Sequence, residues 1–375
     1  MKILLVRMAP RIGGAEMYNL NLIKGIRKYY QETELFFITN LSEFAQKIQV
    51  AEAKAFVLPV FSEEVGTRRG LGRAILGLPK YLYRFPSTIL NLRKKHGIRL
   101  VVFQGTTEKI FLTPLLKILN FKIVWFEHGP VFAFKRAKEV LFLYRFTSRF
   151  ADKIITVSKN AEKDLIGRGI RKEKVVCVHT GIDTKYFSPG KKKSKDLVVG
   201  FVGAICFEKG IRNFLKTAIV INWQKKGVKF VLVGEGPELI WAKEVAKKVG
   251  MSKDFVFTGH QEDIRPYLRN FSLFFFPTLH LEGLSLSLME AMAMEIPVVA
   301  RDIGGNRELV VHGKTGYLFK DETPEELADI IIDLLKNEKK RKTMGKAARK
   351  RIVKYFNEER WTRGLHAVFE EVVKE

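Results

Sequence analysis

The chain is expected to fold as two tandem α/β domains, each a doubly wound parallel sheet, facing a cleft between them. Three observations predict this. A length of 375 residues suits two domains of about 150–200 residues better than one. Short runs of β-branched and aromatic residues alternate with longer helical stretches along the whole chain. The alternation restarts after Ser188-Pro189-Gly190-Lys191-Lys192-Lys193-Ser194-Lys195, a polar, basic stretch that reads as a linker. The expected boundaries are 1–190, 191–355 and a terminal segment 356–375.

The first half opens on Lys2–Val6, a buried strand, then Pro10–Glu16 as a glycine loop and Met17–Tyr29 as a helix. Arg7, Pro10 and Arg11 cut the apolar run short, so it reads as a strand rather than a signal peptide. Glu34–Thr39, Ala55–Leu58, Leu100–Phe103, Lys122–Glu127 and Lys153–Val157 are further strands, and Val175–Val178 closes this half. Apolar runs without strict alternation indicate a sheet covered on both faces. The second half repeats the scheme with strands Leu197–Val202, Lys229–Val233, Phe255–Thr258, Leu273–Phe276, Pro297–Ala300 and Gly316–Phe319. Helices are expected at Ile211–Trp223, Glu238–Val249, Leu286–Met294 and Pro324–Leu335. The last segment repeats Trp361, Leu365, Val368, Phe369 and Val372 at helical spacing.

Composition excludes several classes. An apolar content of 46% supports two cores, yet no run approaches the ~20 residues that span a bilayer. Cys177 and Cys206 form no framework and no C-x-x-C pair, which points to a reducing cytoplasmic setting. The net charge of +26 asks for an anionic partner. From Arg68 to Arg99 there are nine Lys/Arg and no acid, interleaved with Leu71, Ile75, Leu76, Leu78, Tyr81, Leu82, Tyr83, Phe85, Ile89, Leu90 and Leu92. The segment reads as an anionic membrane contact at 68–99, broken by Pro79 and Pro86 into short helices and extended by Lys135, Arg136, Lys138, Arg145 and Arg149. The alternative is a core helix with a solvated basic back. Nucleic acid is not expected as a partner, since no zinc-finger spacing or aromatic nucleic-acid signature occurs.

Chemistry is expected where strands meet helices. Leu281-Glu282-Gly283-Leu284-Ser285-Leu286-Ser287-Leu288-Met289-Glu290 follows an apolar strand ended by Pro277. Glu282 falls on the loop, Ser285 or Ser287 at a helix start, and Glu290 within the first two turns. A helix start offers unpaired N–H groups and a positive dipole end, hence an anion site. The plainer reading is a solvated Glu282 and an ordinary helical Glu290. Four glycine loops, at Gly13-Gly14, Gly203, Lys209-Gly210 and Gly234-Glu235-Gly236-Pro237, fall at strand ends. Glycine there lets backbone amides approach phosphate, or serves a tight turn for steric reasons alone. None is a dinucleotide fingerprint or a P-loop.

In order, Gly13-Gly14, His128, Val157-Ser158-Lys159, Gly181-Ile182-Asp183, Gly203 with Lys209-Gly210, the Gly234–Pro237 turn, Glu282-Gly283 with Glu290-Ala291, and Gly304-Gly305 with Glu308 and Gly316 form one ensemble. It resembles a retaining glycosyltransferase of the GT-B fold, in glycosyltransferase family 4. The resemblance spans nearly the whole chain, strongest from Val199 to Phe319 and weaker between Leu41 and Leu119. It implies two Rossmann-like domains, the first for the acceptor and the second for a nucleotide-sugar, with a terminal helix crossing back after a hinge near Tyr355–Asn357. Lys209 resembles the lysine facing the donor diphosphate, Glu282 the carboxylate beside the reacting sugar carbon, and Glu290 the one bonding both ribose hydroxyls. Amides of Gly283, Leu284, Ser285 and Leu286, with the Gly13, Gly14 and Gly203 loops, would hold the donor, and His128 would bond its sugar.

The resemblance further implies no resident cofactor and no metal. The donor would be a UDP- or GDP-linked hexose, and the acceptor a glycan or lipid-linked sugar at the inner face of the cell membrane. Ala204 stands where the family often has a diphosphate-binding arginine, with Arg212 the nearest substitute, and Thr180 where an asparagine is frequent. Competing readings are a GT-B epimerase or phosphorylase, or a non-catalytic basic binder of nucleic acid.

Overall fold

The computed structural model describes residues 1–9, 12–59, 68–129, 138–190 and 196–374, and the backbone alone of 68–78 and 80. The chain divides into two compact units, Met1–Thr180 with Glu358–Glu375, and Gly181–Asn357. The division falls between Thr180 and Gly181, ahead of the stretch read as a linker, whose residues 191–195 lie outside the described ones.

Among the described residues the first unit holds β1 (Lys2–Val6), β2 (Glu34–Thr39), β3 (Lys54–Val57), β4 (Leu100–Phe103), β5 (Lys122–Glu127), β6 (Lys153–Thr156) and β7 (Val175–Cys177). They pair in parallel in the order β3-β2-β1-β4-β5-β6-β7. Between them run α1 (Gly14–Tyr29), α2 (Ser42–Val50), α3 (Arg68–His96), α4 (Thr106–Ile118), α5 (Lys138–Ser148) and α6 (Lys159–Gly167). The second unit holds β8 (Leu197–Val202), β9 (Val228–Val233), β10 (Phe255–Phe257), β11 (Leu273–Phe276), β12 (Val298–Arg301) and β13 (Gly316–Phe319), ordered β10-β9-β8-β11-β12-β13 and all parallel. Its helices are α7 (Ile211–Gln224), α8 (Leu239–Lys248), α9 (Arg265–Leu268), α10 (Leu286–Ala293), α11 (Asn306–Leu309), α12 (Pro324–Lys336) and α13 (Glu338–Tyr355). The last helix, α14 (Glu358–Lys374), belongs with the first unit.

Side-chain alternation along the strands splits the first unit's core in two. Leu4, Val6, Phe36, Ile38, Val101 and Phe103 face one layer. Ile3, Leu5, Leu35, Phe37, Leu100 and Val102 face the other, with Trp361, Leu365, Val368, Phe369 and Val372 of α14 packed among them. Both faces are covered, so the central strands leave little room for polar side chains along their length.

Two expectations need correction. Helix α1 begins at Gly14 rather than Met17. Pro79 and Pro86 do not divide 68–99, because α3 runs unbroken through both. Tyr81, Phe85, Ile89 and Leu92 recur on one face and are buried in the core, and that packing outweighs the hydrogen bonds each proline forfeits. These residues serve the fold rather than a membrane. Tyr83, Arg84, Leu90, Lys94 and Lys95 are exposed, while Arg93 Nη1 donates to Leu119 O at the end of α4. The side chains of Leu71, Ile75, Leu76 and Leu78, and residues Lys135 and Arg136, lie outside the described ones. Among the described residues no helix is long and apolar enough to cross a membrane.

One ion pair is sealed into the first core. Lys109, 1% exposed, donates to Glu127 Oε1 at 2.5 Å and to Phe126 O at 2.7 Å, and Tyr144 OH donates to the same carboxylate oxygen. Burial pulls the Lys109 pKa down, against the attraction of Glu127. Removing one partner strands the other without water. Lys109→Met is therefore expected to cost about 3–5 kcal/mol in urea unfolding, and adding Glu127→Gln should recover a large part.

Candidate active site

In each sheet the strand order reverses beside the first strand, and loops leaving the two strands at that point diverge to form a crevice. In the second unit the switch lies between β8 and β11. The loop after β8 makes one turn at Phe207–Lys209 and ends on Gly210, whose φ of 75° places it in the left-handed region. A Cβ there would lie 1.9 Å from Pro277 O, so only glycine lets this turn pass beneath the end of β11. Glu208 O then accepts from Leu279 N at 2.8 Å and His280 N at 3.0 Å, stitching the two loops together. The stitch brings Lys209 Nζ into contact with Glu282 Oε1. Thr278 Oγ1 lies 3.3 Å from both Glu282 Oε1 and Glu208 O. The loop after β12 closes the third side. Gly305 N donates to Glu282 O at 3.0 Å, and a Cβ on Gly305 would meet Gly283 O at 1.5 Å.

Past Glu282 the chain enters α10. Ser285 is its N-cap, with Oγ accepting from Leu288 N at 3.4 Å and lying 3.2 Å from Ser287 Oγ. Among the described residues, no protein acceptor takes the N–H groups of Gly283, Leu284, Ser285, Leu286 or Ser287. Five successive donors at the positive end of a helix form an anion and hydroxyl site. Glu290 follows on the second turn, half-buried, with no hydrogen bond to its carboxyl group among the described residues. Burial pushes it up to about 7.

Other expected donors are already spent. Gly203 N bonds Val233 O at 3.0 Å, Gly234 N bonds Gly259 O at 2.9 Å, and Ile205 N bonds Glu235 O at 2.8 Å. These glycine loops clamp one another, because a Cβ on Gly234 would lie 2.0 Å from Gly203 O. Arg212, the expected nearest substitute for the arginine absent at Ala204, is engaged elsewhere in this structure. Its Nε donates to Glu238 Oε1 at 2.7 Å while the guanidinium lies over Phe207 and Trp241.

In the first unit the switch lies between β1 and β4. Gly13 N donates to Glu16 Oε2 at 2.9 Å, and Glu16 Oε1 pairs with Arg7 Nε at 3.0 Å, so the Gly13 amide is not free for phosphate. Gly14 stands in open space. His128, after β5, lies 2.8 Å from Gln104 Oε1 rather than against a backbone carbonyl. That oxygen also accepts from Asn19 Nδ2 at 2.9 Å, and Gln104 Nε2 donates to Asn19 Oδ1 at 2.6 Å. This network assigns the proton of His128 to Nε2 and leaves Nδ1 as an acceptor. Burial, with the charges of Arg7 and Lys109, holds its pKa well below the usual histidine range. Tyr18 packs edge-on at 4.8 Å, its hydroxyl accepting from Trp361 Nε1 at 2.9 Å. Sequence reasoning missed Asn19, Gln104 and Thr278. Gln104 and Thr278 could have been found as polar residues directly past, or one residue past, the apolar runs of β4 and β11.

Thus the second unit gathers Lys209, Glu282, Gly283, Leu284, Ser285, Leu286 and Glu290 around one crevice edge, with Gly203 beneath it in a supporting turn. Gly13, Gly14 and His128 stand at the strand ends of the first unit. Among the described residues no three His, Cys, Asp or Glu side chains group as metal ligands.

Residues 12–186 match the family described as Glycosyltransferase Family 4, and residues 183–351 that described as Glycosyl transferases group 1. The capsular polysaccharide biosynthesis glycosyltransferase CapM of Staphylococcus aureus is 26% identical over 63% of this chain and 66% of its own length. The uncharacterized glycosyltransferase MJ1069 of Methanocaldococcus jannaschii is 27% identical over 72% and 74%. Among solved structures, Anabaena Alr3699/HepE in complex with UDP-glucose superposes with a TM-score of 0.81 at 20% identity, covering 99% of this chain and 100% of that one. That likeness is one of fold.

A raised carboxyl pKa is also a statement about stability. Folding favours the protonated form of Glu290, so its contribution is complete below the unfolded value of 4.5 and is lost as pH rises to about 7. Glu290→Gln should match the parent at about pH 4.5 and unfold about 1–2 kcal/mol harder at about pH 8, by urea titration at both values. Equal stability at the higher pH would mean that the carboxylate is well solvated.

Proposed function

The chain belongs to glycosyltransferase family 4 and has the GT-B fold, and from that premise we propose that it moves a hexose from a UDP- or GDP-linked sugar to a hydroxyl of a glycan or lipid-linked sugar, with retention at the anomeric carbon. The observation that carries this reading is the row of N–H groups from Gly283 to Ser287, without protein acceptors among the described residues, set between Lys209 and Glu290. A diphosphate supplies the acceptors this row lacks, a ribose supplies the diol that a free carboxylate at Glu290 would accept, and Lys209 meets the charge between them. The Anabaena neighbour, solved with UDP and with UDP-glucose, supports a uridine-linked donor.

In this reading the Lys209–Glu282 pair is the resting arrangement. An arriving diphosphate draws the ammonium away, and Glu282 then accepts from a hydroxyl of the donor sugar. His128, neutral with Nδ1 unprotonated, accepts from another. The bond from the anomeric carbon to the phosphate oxygen breaks while a bond to the acceptor oxygen forms on the same face. The acceptor's proton passes to the departing phosphate oxygen, giving glycoside and nucleoside diphosphate. Lys209 and the α10 dipole stabilise the charge growing on that oxygen, and they are already oriented before it appears. The proposal assigns this task to the protein's own groups, with no metal.

Thermal shift with a panel of sugar nucleotides tests donor binding. A ligand at ~100 times its dissociation constant should add about 2.7 kcal/mol to stability, and Glu290→Ala should abolish that gain while leaving the unliganded protein folded. Undiminished stabilisation of the variant would remove the ribose assignment. Lys209→Ala should lower kcat by ~100-fold or more, and EDTA should leave the rate unchanged. Product of inverted anomeric configuration, read by proton NMR coupling, would refute retention.

A further inference from the structure

Helix α13 carries nine Lys/Arg and a single acid, Glu338, a net of +8 over 18 residues. The whole second unit has 31 Lys/Arg and 21 Asp/Glu, a net of +10, so all the rest of it comes to +2. Within the helix the two basic residue types are sorted by face. The arginines turn inward and bind the ends of neighbouring segments. Arg341 donates to Leu334 O and Leu335 O, the last carbonyls of α12. Arg349 donates to Ala293 O at the end of α10, and to Thr184 O and Phe187 O. Arg351 donates to Leu309 O at 2.7 Å and Glu308 O at 2.5 Å.

The lysines turn outward. Lys339, Lys342, Lys346, Lys350 and Lys354 are exposed and recur every three or four residues, which places them on one line along the helix. Lys342 pairs with Glu338, but among the described residues no acid is paired with Lys339, Lys346 or Lys350. Packing does not require this line, and repulsion between neighbours one turn apart opposes it. Near its far end Val353, three residues past Lys350, is 40% exposed on the same line. At its start a shallow cavity of about 300 Å³ is lined by Lys314, Asn337, Lys339, Lys340 and Thr343, and a second continues beside Lys342 and Lys346. The opposite face is seated firmly, since a Cβ on Gly345 would lie 1.9 Å from Glu295 O.

We propose that this lysine face docks on an anionic lipid bilayer. Lysine is a strongly hydrated point charge suited to a diffuse layer of headgroups, whereas base readout favours arginine forks and single strands favour rows of stacking rings. Val353 adds an apolar contact on the same face, at the boundary between water and acyl chain. The first shallow cavity gives a phosphate headgroup a place beside Lys314, Lys339 and Lys340, and in the second Lys339, Lys342 and Lys346 stand with the Glu338 carboxylate. The surface lies outside the residues assigned to the donor and does not rest on that assignment.

Full-length protein is expected to sediment at low salt with vesicles of about one-third phosphatidylglycerol, and to stay in solution with phosphatidylcholine alone. Reversing the three unpaired lysines, K339E/K346E/K350E, should cut partitioning by ~100-fold, with melting temperature and nucleotide stabilisation kept. Reversing Arg84, Lys94 and Lys95 of α3 in the same way should change it less than about twofold. The proposal falls if the α13 variant binds like the parent, if the α3 variant is the one that loses binding, or if neutral vesicles retain the protein. It falls in favour of nucleic acid if single-stranded RNA displaces the protein from vesicles and the α13 variant loses RNA binding.

Discussion

A parallel strand buried on both faces has no room for polar chemistry along its length. Among the described residues the central strands of both sheets run through apolar layers, and the polar side chains of the candidate sites come after their last residues. Arg7 after β1, Gln104 after β4, His128 after β5 and the Lys209 and Glu282 loops all obey that constraint. Strand order does the rest. Where β8 is flanked by β9 and β11, the two loops leave in opposite directions and a crevice opens, and where β1 is flanked by β2 and β4 the same geometry recurs. Function in such a fold lies in a few loops whose shape is set by backbone contact. Glu208 O, with two N–H groups of the next loop bonded to it, is the tie that turns two loops into one site.

The glycines divide by what they do for those loops. At Gly210 and Gly305 a side chain would collide with a carbonyl of the neighbouring loop, so their absence of a Cβ is what allows Lys209 and Glu282 to meet. Gly203 and Gly234 let two turns press together, and their amides are consumed in doing so. Among the described residues the amides from Gly283 to Ser287 have no protein acceptor, because the chain there changes from loop to helix and neither pattern supplies one. In the proposed reading, donor recognition is delegated to main chain, and charge to two side chains.

The buried ionisable groups show the same economy. Lys109, Glu127 and Tyr144 satisfy one another in the first core, and His128 is kept neutral by burial and nearby cations. Glu290, proposed to face the donor, is pushed up to about 7 by burial. The net charge of +26 resolves differently from the two units' cores: arginines tie loops and helix ends inward, while lysines line α13 outward.

Much of this was legible in the residue order. Strand positions were readable because a strand covered on both faces is a short, unbroken apolar run, and Leu100–Phe103, Leu197–Val202 and Leu273–Phe276 needed no context. Glu282, Ser285 and Glu290 were readable because the change from an apolar run to Glu-Gly and then to a helical period marks the loop and the helix start. Tertiary packing alone decided the remainder. It carried α3 through Pro79 and Pro86, since Tyr81, Phe85, Ile89 and Leu92 gain more from burial than two missing donors cost. It also took up the amides of Gly13 and Gly203 and committed Arg212 to Glu238, choices made by neighbours far away in sequence. Local periodicity is written in the chain, whereas the partner of a given N–H or guanidinium is set by which loops the sheet brings side by side.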